Sequence, residues 1–275
     1  MRDMDHTLLM NDGHTIPQLG LGVYKIPDAL AAGTVQIALE AGYRHVDTAA
    51  LYENERGVGE GLARAALPRA EVFVTTKVWN DRHGYDETLR AFDESLAKLG
   101  LDYVDLYLVH WPAPRQDRYV DAYRALETIK ADGRARSIGV SNFHTHHLDR
   151  LLAETDIVPA VNQVELHPWL QQTEVRAYNA AHGILTEDWS PLARGRAIGN
   201  DTLDAIGARH GKSAAQVVLR WHLDLGDVVI PKSVTPSRIR ENLDVFDFTL
   251  DAADHAAIAA LDAGERTGKD PDDLG

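Results

Sequence analysis

The chain has 275 residues, no cysteine and a formal charge of -14 at pH 7. An acidic balance of this size argues against a general nucleic-acid binder, because phosphate backbones are held by surplus Lys and Arg; any anionic ligand must therefore meet a local basic patch. The lack of cysteine excludes a disulfide framework, a thiolate nucleophile and a thiolate metal site, and it permits a reducing compartment. No run of eighteen apolar residues occurs, and residues 1–11 carry charges within a short apolar stretch. Neither a membrane span nor a signal peptide is expected.

In chain order, residues 8–20 read as two short extended runs around Asn11-Asp12-Gly13, with Asp-Gly supplying the positive-φ turn of a hairpin. Strand-like and helix-like segments then alternate: 19–23 before a helix at 29–41, 43–47 before 56–65, and 71–78 before 86–99. The alternation continues with 104–110 before 119–131, 135–140 before 148–153, and 160–165 before 173–182. The last two strands fall at 184–189 and 228–231, with helices near 213–222 and 237–245. Eight such units predict an α/β fold of the (β/α)8 TIM-barrel type in a single domain over 1–275, with an N-terminal β-hairpin. An extra helix is predicted at 252–261, and the Asp- and Gly-rich tail from 262 to 275 is expected to be mobile.

In such a barrel the carboxyl ends of the strands and the loops after them build the active face. Asp47 ends the second strand and Tyr52 follows in its loop, within G-Y-R-H-V-D-T-A-A-L-Y-E-N-E. Lysine is scarce, with seven along the chain, yet Lys77 sits near the end of the apolar strand V-F-V-T-T-K-V, on the face shared with Phe73 and Thr75. A buried ammonium requires a nearby carboxylate, and Asp47 on the neighbouring strand is the natural partner. The pair is expected beneath the Tyr52 phenol, where positive charge would lower the hydroxyl's pKa and fit it to donate a proton. His110 ends the fourth strand, V-D-L-Y-L-V-H. Taken singly, these residues have ordinary readings: a helix N-cap, a snorkelling lysine, a packed tyrosine, a hydrogen-bonded core histidine. Chance does not favour all four at one rim.

Trp189 ends the seventh strand and offers an aromatic face, or else a packed core indole. Lys232 and Arg238, with the hydroxyls of Ser233 and Thr235, cluster after the last strand at the start of a helix, a favourable place for a phosphate. No G-x-G-x-x-G follows a strand, so a Rossmann site is not indicated. Tyr24, Trp79 and Trp111 lie at or just past strand ends, where they form an aromatic substrate wall or simply pack. His144-x-His146-His147 is the densest histidine group; it lacks a companion acidic motif and is read as a solvated helix start, with no metal expected.

The motifs D-T-A-x-x-Y-x-N-E, L-V-H-W-P, I-G-V-S-N-F, V-N-Q-V-E-L-H-P, W-S-P-L and I-P-K-S-V-T-P-S-R-I-R-E-N occur in an order that resembles the aldo-keto reductase family over nearly the whole chain. The similarity is greatest to the bacterial 2,5-diketo-D-gluconate reductase-like branch. The resemblance implies a catalytic tetrad of Asp47, Tyr52, Lys77 and His110, with Tyr52 as general acid, and NADPH as hydride donor for reduction of small aldehydes or ketones. It places Ser141, Asn142 and Gln163 at the nicotinamide carboxamide, Trp189 on its ring, and Ser190 and Leu192 near the pyrophosphate. Lys232, Ser233, Val234, Thr235 and Arg238 then meet the adenosine 2′-phosphate, with Glu241 and Asn242 near the adenine. One departure is Asp188, where a small residue is usual; it bears on local packing or cofactor-side electrostatics. The segment 193–202 is short, which implies an open pocket suited to small polar carbonyls. The expectation is a cytoplasmic monomer acting on a small molecule, with neither nucleic acid nor membrane as partner. Its rivals are a nucleotide-binding barrel with little turnover and, last, a metal-dependent hydrolase.

Overall fold

The computed structural model describes residues 6–274. The first five residues, part of the run expected to hold no signal peptide, and Gly275 at the end of the tail lie outside the described residues. Ten strands occur among the described residues: β1 (Thr7–Leu9), β2 (Thr15–Pro17), β3 (Leu21–Gly22), β4 (His45–Asp47), β5 (Phe73–Val78), β6 (Val104–Val109), β7 (Ala135–Ser141), β8 (Val161–Glu165), β9 (Leu185–Trp189) and β10 (Val228–Val229). β3 to β10 form one parallel sheet in sequence order. Its seam closes through Gly20 N–H to Val229 O, Val229 N–H to Gln18 O and Gly22 N–H to Pro231 O. The sheet thus curls into the expected barrel. Side chains must fill its axis, and a Cβ at Gly20 would lie 2.6 Å from the His45 ring, so the seam needs glycine there.

The helices are α1 (Asp28–Ala41), α2 (Glu55–Ala65), α3 (Tyr85–Leu99), α4 (Tyr119–Ala131), α5 (Thr145–Glu154), α6 (Thr173–Ala181), α7 (Asp201–His210), α8 (Ala214–Asp224), α9 (Pro236–Leu243) and α10 (Ala252–Ala259). Local chemistry sets several ends. Gly100, at φ 66°, returns its amide to Leu96 O to end α3, and Ser213 and Gln216 form a capping box that starts α8. α7 was not anticipated. It occupies 201–210, mostly between the short segment 193–202 and the helix predicted near 213–222, a stretch to which no element was assigned; Asn200 caps it by accepting from Leu203 N–H, and Leu203 and Ile206 pack it.

The hairpin forms as expected, with Leu8 opposite Ile16 and Gly13 at φ 87°. Met10 and Ile16 plug one end of the barrel against Phe73, Leu106, Leu108, Val161 and Val228. The opposite end, where the strands finish, is left for chemistry. The tail, expected to be mobile, makes defined contacts: the backbone N–H groups of Thr267 and Gly268 donate to Glu165, and Pro271 is buried. Its polar composition hid this, because the fixing groups are main-chain donors that any sequence carries. No helix among the described residues is long and apolar enough to cross a membrane.

Leu106 is fully buried in the barrel interior. Leu106→Ala is expected to destabilise the fold by about 2–5 kcal/mol through lost transfer energy and an unfilled cavity, read as a lower denaturant midpoint. An unchanged midpoint would show that the interior collapses around the gap.

Candidate active site

Strand register brings the first pair together. Asp47 lies opposite Thr75, so Lys77 emerges one inward layer further along β5 and its four-carbon stem spans the offset. The ammonium donates to Asp47 Oδ1 at 2.7 Å, to Asp47 Oδ2 at 2.8 Å and to Thr48 O at 2.9 Å. Lys77 is fully buried and Asp47 2% exposed, so two charges removed from water satisfy one another. Tyr52 follows on the single turn Ala50–Tyr52, and its hydroxyl lies 3.5 Å from Lys77 Nζ. His110, just past β6, meets the Tyr52 ring edge to face with centroids 5.6 Å apart. All four expected residues converge.

The loop carrying Tyr52 is held by the Asn54 of the same motif. Its amide donates to Val23 O and Ile26 O and its carbonyl accepts from Thr48 Oγ1, all buried. Glu55 accepts from Thr76 Oγ1 at 2.6 Å. Asn-Glu therefore serves as a fastening between the loop, the β3 end and β5. Conformational freedom that would blur the phenol's position is removed by these bonds.

Electrostatics correct one expectation. The Tyr52 hydroxyl is pushed well above its usual pKa of 10, first by burial and then by the Asp47 carboxylate. The expected lowering fails because Asp47 already neutralises Lys77, leaving little net positive field at the phenol. Tyr52 thus remains protonated across neutral pH, as a proton donor must. Burial, with Lys77 and His83 adding to it, depresses His110 well below 6.5, so its imidazole is neutral and free to donate a hydrogen bond.

Ser141, Asn142, Gln163 and Trp189 form one chain along the ends of β7, β8 and β9. Trp189 Nε1 donates to Asn142 Oδ1 at 2.9 Å, Asn142 Nδ2 donates to His110 O at 2.9 Å, and Ser141 Oγ donates to Gln163 O at 2.8 Å. Gln163 Nε2 turns inward to Asp47 Oδ2 and to Glu187 Oε2, both at 2.9 Å. Ser190 sits at φ 53° and Leu192 follows in the turn beyond it. Lys232, Val234, Thr235, Arg238 and Glu241 are exposed around the start of α9, whereas Ser233 and Asn242 are buried. Glu241 accepts from Ser213 Oγ at 2.6 Å. Among the described residues Lys232 and Arg238 carry no ion pair, so their charges are uncommitted. Tyr24 tilts over Tyr52 at 4.9 Å, Trp79 meets His110 at 5.1 Å and Trp111 faces Trp189 at 6.5 Å.

Asp188 points away from the barrel axis. Its carboxyl lies 2.6 Å from His222 Nδ1 on α8, fully buried, which raises the acid and lowers His222 to about 3. The departure therefore acts on packing behind β9 rather than on the cofactor side. The group that sequence reasoning missed is Glu187. In L-T-E-D-W the period of two sends Glu187 inward with Trp189, a signal that was present but unused. Burial and the nearby Asp47 push Glu187 up to about 8. The unfolded chain ionises a glutamate near its ordinary value of 4.5. Between those values the unfolded state releases a proton that the folded state keeps, so Glu187 costs stability increasingly from pH 4.5 to about 8. Glu187→Gln should gain stability relative to the parent over that window and level off above it, measured by denaturant unfolding at several pH values. A pH-independent difference would place an ionised Glu187 in the native state.

The aldo/keto reductase family model matches residues 18–263. The chain is 51% identical over 268 residues to an aldo-keto reductase of Mycolicibacterium smegmatis, covering 98% of each. It is 51% identical over 271 residues to the methylglyoxal reductase DkgA of Escherichia coli, covering 97% of each. Among solved structures, a Gox0644 mutant in complex with NADPH superposes with a TM-score of 0.94 at 49% identity over 98% of both chains. The Bombyx mori aldo-keto reductase in complex with NADP gives 0.90 at 38% identity, covering 97% of this chain and 95% of the other. Barrel, strand-end polar groups and these matches agree: the chain belongs to the aldo/keto reductase family.

Proposed function

We propose that this protein reduces small aldehydes and ketones, sugar-derived or keto-acid carbonyls among them, with NADPH as donor and Tyr52 as the proton source. The observation that carries this reading is the Lys77 ammonium, bound to both oxygens of Asp47 and 3.5 Å from the Tyr52 hydroxyl. The bound nicotinamide would supply the hydride to the carbonyl carbon. The protein's own groups then have defined tasks. As charge grows on the carbonyl oxygen, Tyr52 gives up its proton, and a direct hydrogen bond from Lys77 Nζ, 3.5 Å away, holds the phenolate even though the neutralised pair exerts little net field. His110, neutral, orients the substrate oxygen by donating a hydrogen bond. Alcohol oxidation uses the same groups with Tyr52 as base.

The residues present fit the cofactor. Two uncommitted cations, Lys232 and Arg238, stand at the start of a helix in an acidic protein, with Ser233 and Thr235 beside them, and they suit an adenosine 2′-phosphate. Val234, Glu241 and Asn242 complete that end. Trp189, fixed by Asn142, offers its face to the ring, and the Gln163 side-chain carbonyl and Ser141 serve the carboxamide. Ser190 and Leu192 lie on the path between the two ends. Tyr24, Trp79 and Trp111 wall the substrate side. Methylglyoxal is the first substrate to test, given the relative named for it. We read the enzyme as a cytoplasmic monomer, to be checked by light scattering.

Loss of NADPH absorbance with methylglyoxal measures the reaction. Tyr52→Phe is expected to lower kcat by roughly a hundredfold or more while NADPH binding, followed by tryptophan fluorescence, persists. Equal rates would remove the phenol from its role, and tight nucleotide binding without turnover across a carbonyl panel would favour a binding protein. Replacing Lys232 and Arg238 together by Ala should weaken NADPH by roughly ten- to a hundredfold and leave NADH unchanged. Parallel losses for both nucleotides would dissociate these cations from the 2′-phosphate.

A further inference from the structure

The histidine group at the start of α5 has a companion that the local sequence did not show. The docked tail carries Asp272 across to it, and Asp272 Oδ1 lies 3.1 Å from His146 Nε2 and 3.2 Å from His147 Nε2. Asp272 Oδ2 lies 3.4 Å from His144 Nδ1. One ligand atom from each of the four residues falls within 4.8 Å of all the others. His147 is 3% exposed, and its Nε2 has no aligned hydrogen-bond partner although it points into this cluster. A solvated helix start would not bury an imidazole nitrogen in this way.

We propose that His144, His146, His147 and Asp272 form a binding site for a divalent transition metal of the zinc class, which staples the tail to α5. Three imidazoles and one carboxylate suit Zn2+ or Co2+ better than Mg2+ or Ca2+, which prefer all-oxygen shells. Tetrahedral ligands about 2.0–2.1 Å from zinc stand roughly 3.3 Å apart, so the widest-spaced atoms, now within 4.8 Å of one another, must close by up to about 1.5 Å around the ion.

Binding has identifiable local costs. A metal at His147 Nε2 moves the ring proton to Nδ1, so the His144 backbone N–H loses the acceptor it now has at 3.1 Å. A metal at His144 Nδ1 likewise puts the proton on Nε2 and displaces the Arg266 donor at 3.0 Å. That new N–H would face Asp270 Oδ1, 4.0 Å away, giving the ligand a carboxylate behind it. Arg266 retains Asp270 Oδ2 at 3.3 Å, which tempers its charge. The consequence reaches the proposed cofactor pocket. The tail runs from this cluster past Gly268, where a Cβ would lie 2.6 Å from Trp189, so a metal would hold 266–274 against the indole.

The test uses the untagged full chain, stripped by chelator and titrated with CoCl2 and then ZnCl2. Uptake of one Co2+ per chain with the visible bands of a low-coordinate site, displaced by Zn2+, is expected. His146 and Asp272 are 59% and 50% exposed, so His146→Ala and Asp272→Ala should fold normally, yet each should weaken Zn2+ by about tenfold or more. His182→Ala, an exposed histidine beyond α6, should leave affinity unchanged. Hydrogen exchange of amides 266–274 should slow with Zn2+ in the parent chain and not in Asp272→Ala. No uptake, or uptake that both variants retain, would overturn the proposal and leave the cluster as a metal-free histidine–aspartate contact.

Discussion

The buried pair of Lys77 and Asp47 sets the terms for everything around it. Removing two charges from water costs several kcal/mol each, and only close, fully bonded geometry offsets that cost. The ammonium meets the requirement with the Asp47 carboxylate and Thr48 O as acceptors, and the Tyr52 hydroxyl lies 3.5 Å from it. Around the pair, burial disfavours further charge along the barrel axis. Glu187 keeps its proton to about pH 8, His45 is driven by burial to about 3, and His110 and Tyr52 remain neutral. Burial, with this ion pair as a secondary influence, thus sets the protonation state of its neighbours.

The frame holds this pair in register from both sides. The hairpin and the interior leucines fill one end of the barrel, so the strands end in polar groups only at the other. Parallel pairing brings Asp47, Lys77 and His110 to the same rim from three successive strands. Asn54 fastens the loop that carries Tyr52 by bonds to main-chain carbonyls of the preceding unit. Beyond the rim, the tail adds a second layer: Glu165 binds its amides, Arg196 pairs with Glu265, and the histidines of α5 receive Asp272.

Much of this was legible beforehand because its signals are local. Alternating apolar runs and helical periods give eight strand-helix units, and right-handed parallel crossovers leave a barrel as their simplest closure. A lone lysine in V-F-V-T-T-K-V demands a carboxylate, and the neighbouring strand end offers one. α7, at 201–210, lies where no element was predicted, because the helix relies on packing of Leu203 and Ile206 rather than on a strong period. The tail's contacts were not legible because its anchoring donors are backbone amides, invisible to composition.

Residue types, their order and their period-two or helical spacing therefore determined the barrel, the strand-end positions of Asp47, Lys77 and His110, and the basic cluster at Lys232 and Arg238. Tertiary structure alone decided which charges cancel. It raised rather than lowered the Tyr52 pKa, turned Asp188 away from the cofactor side, brought Glu187 beside Asp47 and carried Asp272 to three histidines more than a hundred residues earlier. The reason is physical: desolvation and Coulomb energy depend on distances between groups far apart in sequence, and a linear pattern carries no such distances.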